Sequence, residues 1–196
     1  MIAELRPGAS VAVRSGPGGA VAMRLGSRTE FGSRRALTVA ARRGRWLGVR
    51  AAEVGNGRLG WIDARARGLA YAWTAVRLEV DLSRRELRLH RGNRVTRLPV
   101  SIGRAGSPTP IGRFAVTDKL PGARFSPVYG CCILALSGRQ PHVPAGWRGG
   151  DRLAIHGSPG DAVGGRASAG CLHARRDDLG LLMRTVPLGA PVVIHP

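Results

Sequence analysis

Two side chains in the C-terminal half have the types and spacing of a nucleophile and its base. His156 ends the apolar run Leu153-Ala154-Ile155, and Cys171 follows 171 − 156 = 15 residues later. The intervening stretch is built of small, flexible residues and closes on Ser168-Ala169-Gly170. A histidine brought to a cysteine across such a loop can take the thiol proton, and the sulfur can then attack a carbonyl carbon. A glycine beside the cysteine lets a substrate backbone approach closely. The backbone N–H groups of Gly170 and Cys171 are candidates for holding the developing oxyanion. Ser168 is placed to hydrogen-bond within the loop and fix Cys171. Gly157 lets the chain turn after His156, and its carbonyl can orient the imidazole. A thiol paired in this way is expected to have a depressed pKa. Taken alone, the pair also fits a buried thiol and an unrelated strand-end histidine.

The elements that must carry these residues are mostly strands. Val76, Leu78, Val80 and Leu82 alternate with polar residues, which describes a half-buried strand. Residues 86–90 and 95–100 read as a hairpin around Arg91-Gly92-Asn93-Arg94, with His90 a solvated residue beside the turn. Thr109 to Gly112 is a turn that returns as the strand Phe114-Ala115-Val116-Thr117. Residues 139–150 form a Gly/Pro-rich loop overhanging the site, with His142 inside it. Leu179, Leu182, Met183 and Val186 fall on one helical face, with Asp177 and Asp178 ahead of it and Pro187 behind it. Pro191 to Ile194 is a closing strand. Residues 1–70 read as short strands separated by glycine-rich turns, including an Asn56-Gly57 hairpin signal, which suggests a small all-β barrel. Trp46 and Trp61 are its expected core aromatics, and Asp63 to Thr74 is the linker that joins it to the C-terminal half.

Three stretches resemble the L,D-transpeptidase (YkuD-type) family. They are Ile155-His156-Gly157 with Ser168-Ala169-Gly170-Cys171-Leu172-His173, then Ser101-Ile102-Gly103 with Thr109-Pro110-Ile111-Gly112-Arg113-Phe114, and Val186 to Ile194. The segments around Trp46 and Gly60-Trp61-Ile62 are similar to bacterial SH3-like domains. The expected fold is therefore mainly β. An N-terminal SH3-like small barrel (1–70) precedes a YkuD-type β-sandwich catalytic domain with one short helix (75–196).

The resemblance implies that Cys171 is the nucleophile and that His156 is the general base and later the acid. It implies support from Gly170, Ser168 and Gly157, and peptidoglycan stem peptides as the partner. The implied reaction is acyl transfer from a tetrapeptide stem to an amine, giving a 3→3 cross-link. No metal or organic cofactor is required, because the sulfur supplies the covalent chemistry. An L,D-carboxypeptidase and a catalytically weak peptidoglycan-binding protein are the alternative readings. Two positions depart from the family pattern. Ala169 stands where His is frequent, and His173 stands where Arg is associated with substrate binding. His173 itself, or Arg175 and Arg176, are the candidates for that substrate contact.

Composition sets further bounds. The chain has 196 residues and a formal net charge of +19, with Lys119 the sole lysine among 31 basic side chains. Such a surface attracts polyanions, but the aromatic-basic motif of an RNA-binding module is missing, so no specific nucleic-acid partner is expected. Adjacent cysteines rarely bridge, so Cys131 and Cys132 are expected as free buried thiols. There is no apolar run of membrane-spanning length, and residues 1–6 lack the apolar core of a signal peptide. The resemblance nevertheless implies an extracytoplasmic location, and the protein is expected to act as a monomer.

Overall fold

The structure, a computed structural model, describes residues 1–196. The first seven strands are β1 (Ile2–Leu5), β2 (Ser10–Arg14), β3 (Val21–Gly26), β4 (Ala36–Arg43), β5 (Trp46–Arg50), β6 (Gly60–Asp63) and β7 (Leu69–Ala72). They form one sheet in the order β3-β2-β6-β5-β4-β1-β7. Alternate residues such as Val11 and Val13, or Leu47 and Val49, turn inward and share a core with Leu37 and Ile62.

Two expectations change here. The supposed linker contains β7, which pairs with β1 through Leu5↔Leu69 and Ile2↔Ala72. Leu69 packs on the first core, so pairing satisfies the backbone of a segment whose Arg/Gly-rich start reads as loop. Asn56-Gly57 is not a two-residue hairpin but part of the longer loop joining β5 to β6. The Asn56 amide reaches across to the second half of the chain. It donates to the Arg139 carbonyl at 2.7 Å and accepts from the Arg139 N–H at 2.9 Å. Trp61 is buried, whereas Trp46 is half-buried beneath the guanidinium groups of Arg14 and Arg45.

The remaining strands are β8 (Val76–Asp81), β9 (Glu86–Arg91), β10 (Arg94–Pro99), β11 (Ile102–Gly103), β12 (Gly112–Pro121), β13 (Cys132–Arg139), β14 (Arg152–His156), β15 (Arg166–Ser168), β16 (Leu172–His173) and β17 (Pro191–His195). The single α-helix is α1 (Arg176–Thr185). Eight strands form a sheet in the order β10-β9-β8-β17-β12-β13-β14-β16, and β11 pairs with β15 beside it. The chain is 47% strand with one α-helix, which makes it mainly β. Leu179 and Leu182 of α1, followed by Val186, enter a core with Leu134, Leu136, Leu153 and Ile155. The helix ends as Pro187 approaches, because proline cannot continue it.

Two further corrections concern polar residues and sulfur. His90 is buried, with its Nε2 3.1 Å from Glu79 Oε2. The register pairs Arg77 with His90 and Glu79 with Arg88, so Glu79 is the diagonal neighbour of His90 on one face. Cys131 and Cys132 are joined by a disulfide. Cys131 lies in the turn before β13, outside the extended ladder in which successive side chains point to opposite faces, so both sulfurs can share one side.

The two halves dock closely. Thr38 Oγ1 donates to the Gly189 carbonyl at 2.6 Å. The β3–β4 loop reaches further, with Thr29 hydrogen-bonded to Asp118 and Glu30 paired with Arg152.

Candidate active site

β14 and β16 run parallel, with Ile155 opposite Leu172 and His156 opposite His173. This register carries Cys171 in at the start of β16, alongside the strand that ends in His156. Both residues line one cavity of about 470 Å³, together with His173, Ser168, Tyr129 and Gln140.

The imidazole of His156 is tightly held. Its Nδ1 lies 2.6 Å from the Gly157 carbonyl oxygen. A carbonyl can only accept, so Nδ1 carries the proton and Nε2 keeps its lone pair. Tyr129 meets the ring edge-on at 4.8 Å, and the His173 ring lies 4.7 Å away at a 50° tilt. The Cys171 thiol is hydrogen-bonded to the Arg152 carbonyl at 3.7 Å, not to His156.

The electrostatics reverse one expectation. Burial pushes the Cys171 thiol up to about 11, and a hydrogen bond from the Ala154 backbone offsets only part of that. Burial, then the neighbouring His173 charge, push His156 down to about 4 against a smaller opposing effect of the Gly157 hydrogen bond. Burial lowers His173 as well. The depressed thiol pKa expected of a Cys/His pair is therefore absent. With no fixed cation at the sulfur, desolvation decides, and both groups rest uncharged at neutral pH.

The loop before the thiol is fixed by two side chains. Ser168 Oγ donates to the Cys171 carbonyl at 2.5 Å and accepts the Gly170 N–H at 3.0 Å. That bond removes the Gly170 N–H from the expected oxyanion donors. The Cys171 N–H has no hydrogen-bond partner within the protein and remains available. Gly170 adopts φ +117°, and a Cβ there would run into the Gln140 side-chain amide. Gln140 Nε2 donates to the Pro108 carbonyl at 2.9 Å and to the Ala169 carbonyl at 3.1 Å, while its Oε1 accepts the His142 N–H at 3.0 Å. One amide thus ties three loops around the thiol.

Of the three basic candidates for substrate contact, only His173 faces the cavity. Arg175 and Arg176 are exposed. Arg175 is the N-terminal flanking residue of α1, and the Arg176 N–H donates to Asp161 Oδ1 at 2.8 Å. β16 ends at His173, Ala174 turns into the core, and the start of the helix turns Arg175 and Arg176 outward. The arginines that line the cavity are Arg104 and Arg152. Arg152 is largely engaged, since its guanidinium donates to Thr117 Oγ1 at 2.7 Å and to the Leu136 carbonyl at 3.0 Å. Sequence reasoning missed Gln140, Tyr129 and Arg152. Arg152 is one of many arginines, but Gln140 was findable as the polar opening of the overhanging loop.

Residues 75–194 match the profile of the YkuD family, the L,D-transpeptidase catalytic domain. The chain belongs to the YkuD family. Among solved structures, L,D-transpeptidase 3 from Mycobacterium tuberculosis is 17% identical, with 70% of this chain and 74% of that chain covered at a TM-score of 0.51. An L,D-transpeptidase from Mycobacterium smegmatis is also 17% identical, with 82% and 93% covered at a TM-score of 0.52. A Bdellovibrio bacteriovorus protein is 22% identical over 63% of this chain, at a TM-score of 0.49, and this chain spans only 48% of its length. At these identities the likeness is one of fold. No curated protein matches the chain in sequence. The YkuD family acts on peptidoglycan, in the cell wall or periplasm. No helix of this YkuD protein is long and apolar enough to cross a membrane.

Proposed function

We propose that the protein is a cysteine-dependent peptidoglycan L,D-transpeptidase, with Cys171 as nucleophile and His156 as base. The observation that carries this reading is the free Nε2 of His156, whose ring is held through Nδ1 by the Gly157 carbonyl at 2.6 Å, on the cavity that also contains Cys171. The donor is a tetrapeptide stem. As the Cys171 sulfur bonds to the carbonyl carbon before the terminal D-Ala, its proton passes to His156 Nε2. The Cys171 N–H, supported through the Ser168–Gly170 loop, donates to the oxyanion. The C–N bond then breaks, and the imidazolium returns its proton to the departing D-Ala amine, leaving a thioester.

The amine of a neighbouring stem attacks next and gives its proton to His156. The C–S bond breaks, the sulfur regains that proton, and a 3→3 cross-link remains. Water in place of the amine would make the same site an L,D-carboxypeptidase. His173 is the candidate contact for a stem carboxylate, since Arg175 and Arg176 point away. We assign the N-terminal part of the chain, through β7 at Ala72, as an SH3-like domain and 75–196 as the catalytic domain, and place the protein outside the cytoplasmic membrane.

The M. tuberculosis L,D-transpeptidase 3 has also been solved with a faropenem-derived adduct, at 17% identity and a TM-score of 0.51 to this chain. Incubation with faropenem, followed by intact-mass measurement, tests the nucleophile. A covalent adduct on the wild type and none on Cys171→Ala is expected. An adduct that persists in Cys171→Ala refutes the assignment. Product analysis with a tetrapeptide stem, with and without an acceptor amine, separates cross-linking from hydrolysis.

A further inference from the structure

The β3–β4 loop leaves its own sheet and ends at the mouth of the Cys171 cavity. Thr29 is hydrogen-bonded to Asp118, a carboxylate with no exposed surface, and Glu30 pairs with Arg152. These contacts deliver Phe31 to the cavity wall. The Arg152 guanidinium lies 5.4 Å over the Phe31 ring, and Phe125 meets that ring edge-on at 6.0 Å. Even so, Phe31 remains 36% exposed and Phe125 48%. Val128, Val143 and Trp147 line the same cavity and are also exposed. Half of the ten large hydrophobic residues exposed on the protein thus converge on one opening. Apolar surface gathered in this way, around the Cys171 thiol and braced by an ion pair and a hydrogen bond to the buried Asp118, is arranged to receive an apolar part of a ligand.

We infer that Phe31, on the β3–β4 loop of the first sheet, contacts the acyl donor and, with Phe125, selects donors that carry an apolar chain or ring face beside the reacting carbonyl. The β3–β4 loop then completes the cleft. The inference rests on the proposed function only for Cys171 as the reacting thiol, and not for peptidoglycan as the substrate.

The test compares two alkylating agents, iodoacetamide and its N-benzyl derivative. In each case the Cys171 sulfur forms a bond to the CH2 carbon and iodide departs. Rates come from intact mass at pH 9 and are normalised to glutathione. The wild type is expected to favour the benzyl reagent. Phe31→Ala is expected to lose about fivefold of that preference, the size of a lost aromatic contact, with its iodoacetamide rate within about twofold of wild type. Phe31→Tyr should retain the preference, and thermal melting of both variants checks the fold. With a tetrapeptide stem, Phe31→Ala should raise KM and leave kcat unchanged. An unchanged reagent preference in Phe31→Ala overturns the inference, even if the stem peptide is turned over normally. If the preference falls but no stem peptide is turned over by the wild type, the inference stands and the proposed function fails.

Discussion

The resting state of the Cys171/His156 pair can be tested by titration. With the thiol at about 11 and the imidazole at about 4, moving the proton between them is uphill by about 10 kcal/mol, at about 1.36 kcal/mol per pKa unit and before mutual attraction. A stored thiolate–imidazolium pair is therefore negligible, and the proton must move during attack. A thiol at about 11 in place of the ordinary 9.0 holds about a hundredfold less thiolate near neutral pH. The more basic thiolate is intrinsically faster, by about eightfold for a Brønsted slope of about 0.45. Net alkylation should then be about tenfold slower than for an unperturbed thiol. The assay is iodoacetamide labelling of Cys171, followed by mass from pH 6 to pH 10.5. The rate should climb about tenfold per pH unit through this range without a plateau. His156→Gln should leave that profile nearly unchanged but slow acylation by faropenem by about 10²- to 10⁴-fold, the usual contribution of a general base. A plateau with a midpoint below pH 8 would refute the neutral pair and restore the ion pair.

The same geometry bears on stability and on the loop before the thiol. His156 has its folded pKa, about 4, below the ordinary 6.5, so the unfolded chain binds more protons between these values; stability is full above pH 6.5 and falls by about 3 kcal/mol as pH drops to 4. Urea denaturation should show this loss in wild type and less of it in His156→Gln, and equal losses in both would rule out His156 as the source. Gly170→Ala should weaken the protein by about 1–3 kcal/mol through its positive φ and the Gln140 amide it would strike, and should displace Cys171. The checks are the denaturation midpoint and the faropenem acylation rate, and a variant unchanged in both would show that the loop tolerates a side chain there.

Much of the family assignment and of the secondary structure was legible in the chain itself. The His156–Cys171 spacing, the glycines around it and the upstream and closing motifs are local patterns, and they pointed to the YkuD family before any fold was in view. The alternation in Val76 to Leu82 and the helical face of Leu179, Leu182 and Val186 are equally local, because each period is set by the backbone geometry of its own element. The remainder depends on what approaches from elsewhere. The thiol and imidazole pKa values follow from burial, which no spacing encodes. The Gly170 N–H was lost as an oxyanion donor to a hydroxyl two residues away, a matter of loop conformation. β7 became a strand because β1 offered it an edge, and Cys131 met Cys132 because a turn took it out of the ladder. Arg175 and Arg176 turned outward where α1 begins. Phe31 reached the cavity only because Asp118 and Arg152, some ninety and 120 residues further along, hold its loop there. Residue types and their spacing were enough to name the family and the groups proposed to react. Packing decided their protonation, their partners and the walls around them, because solvent exclusion and long-range contacts arise only when distant segments come together.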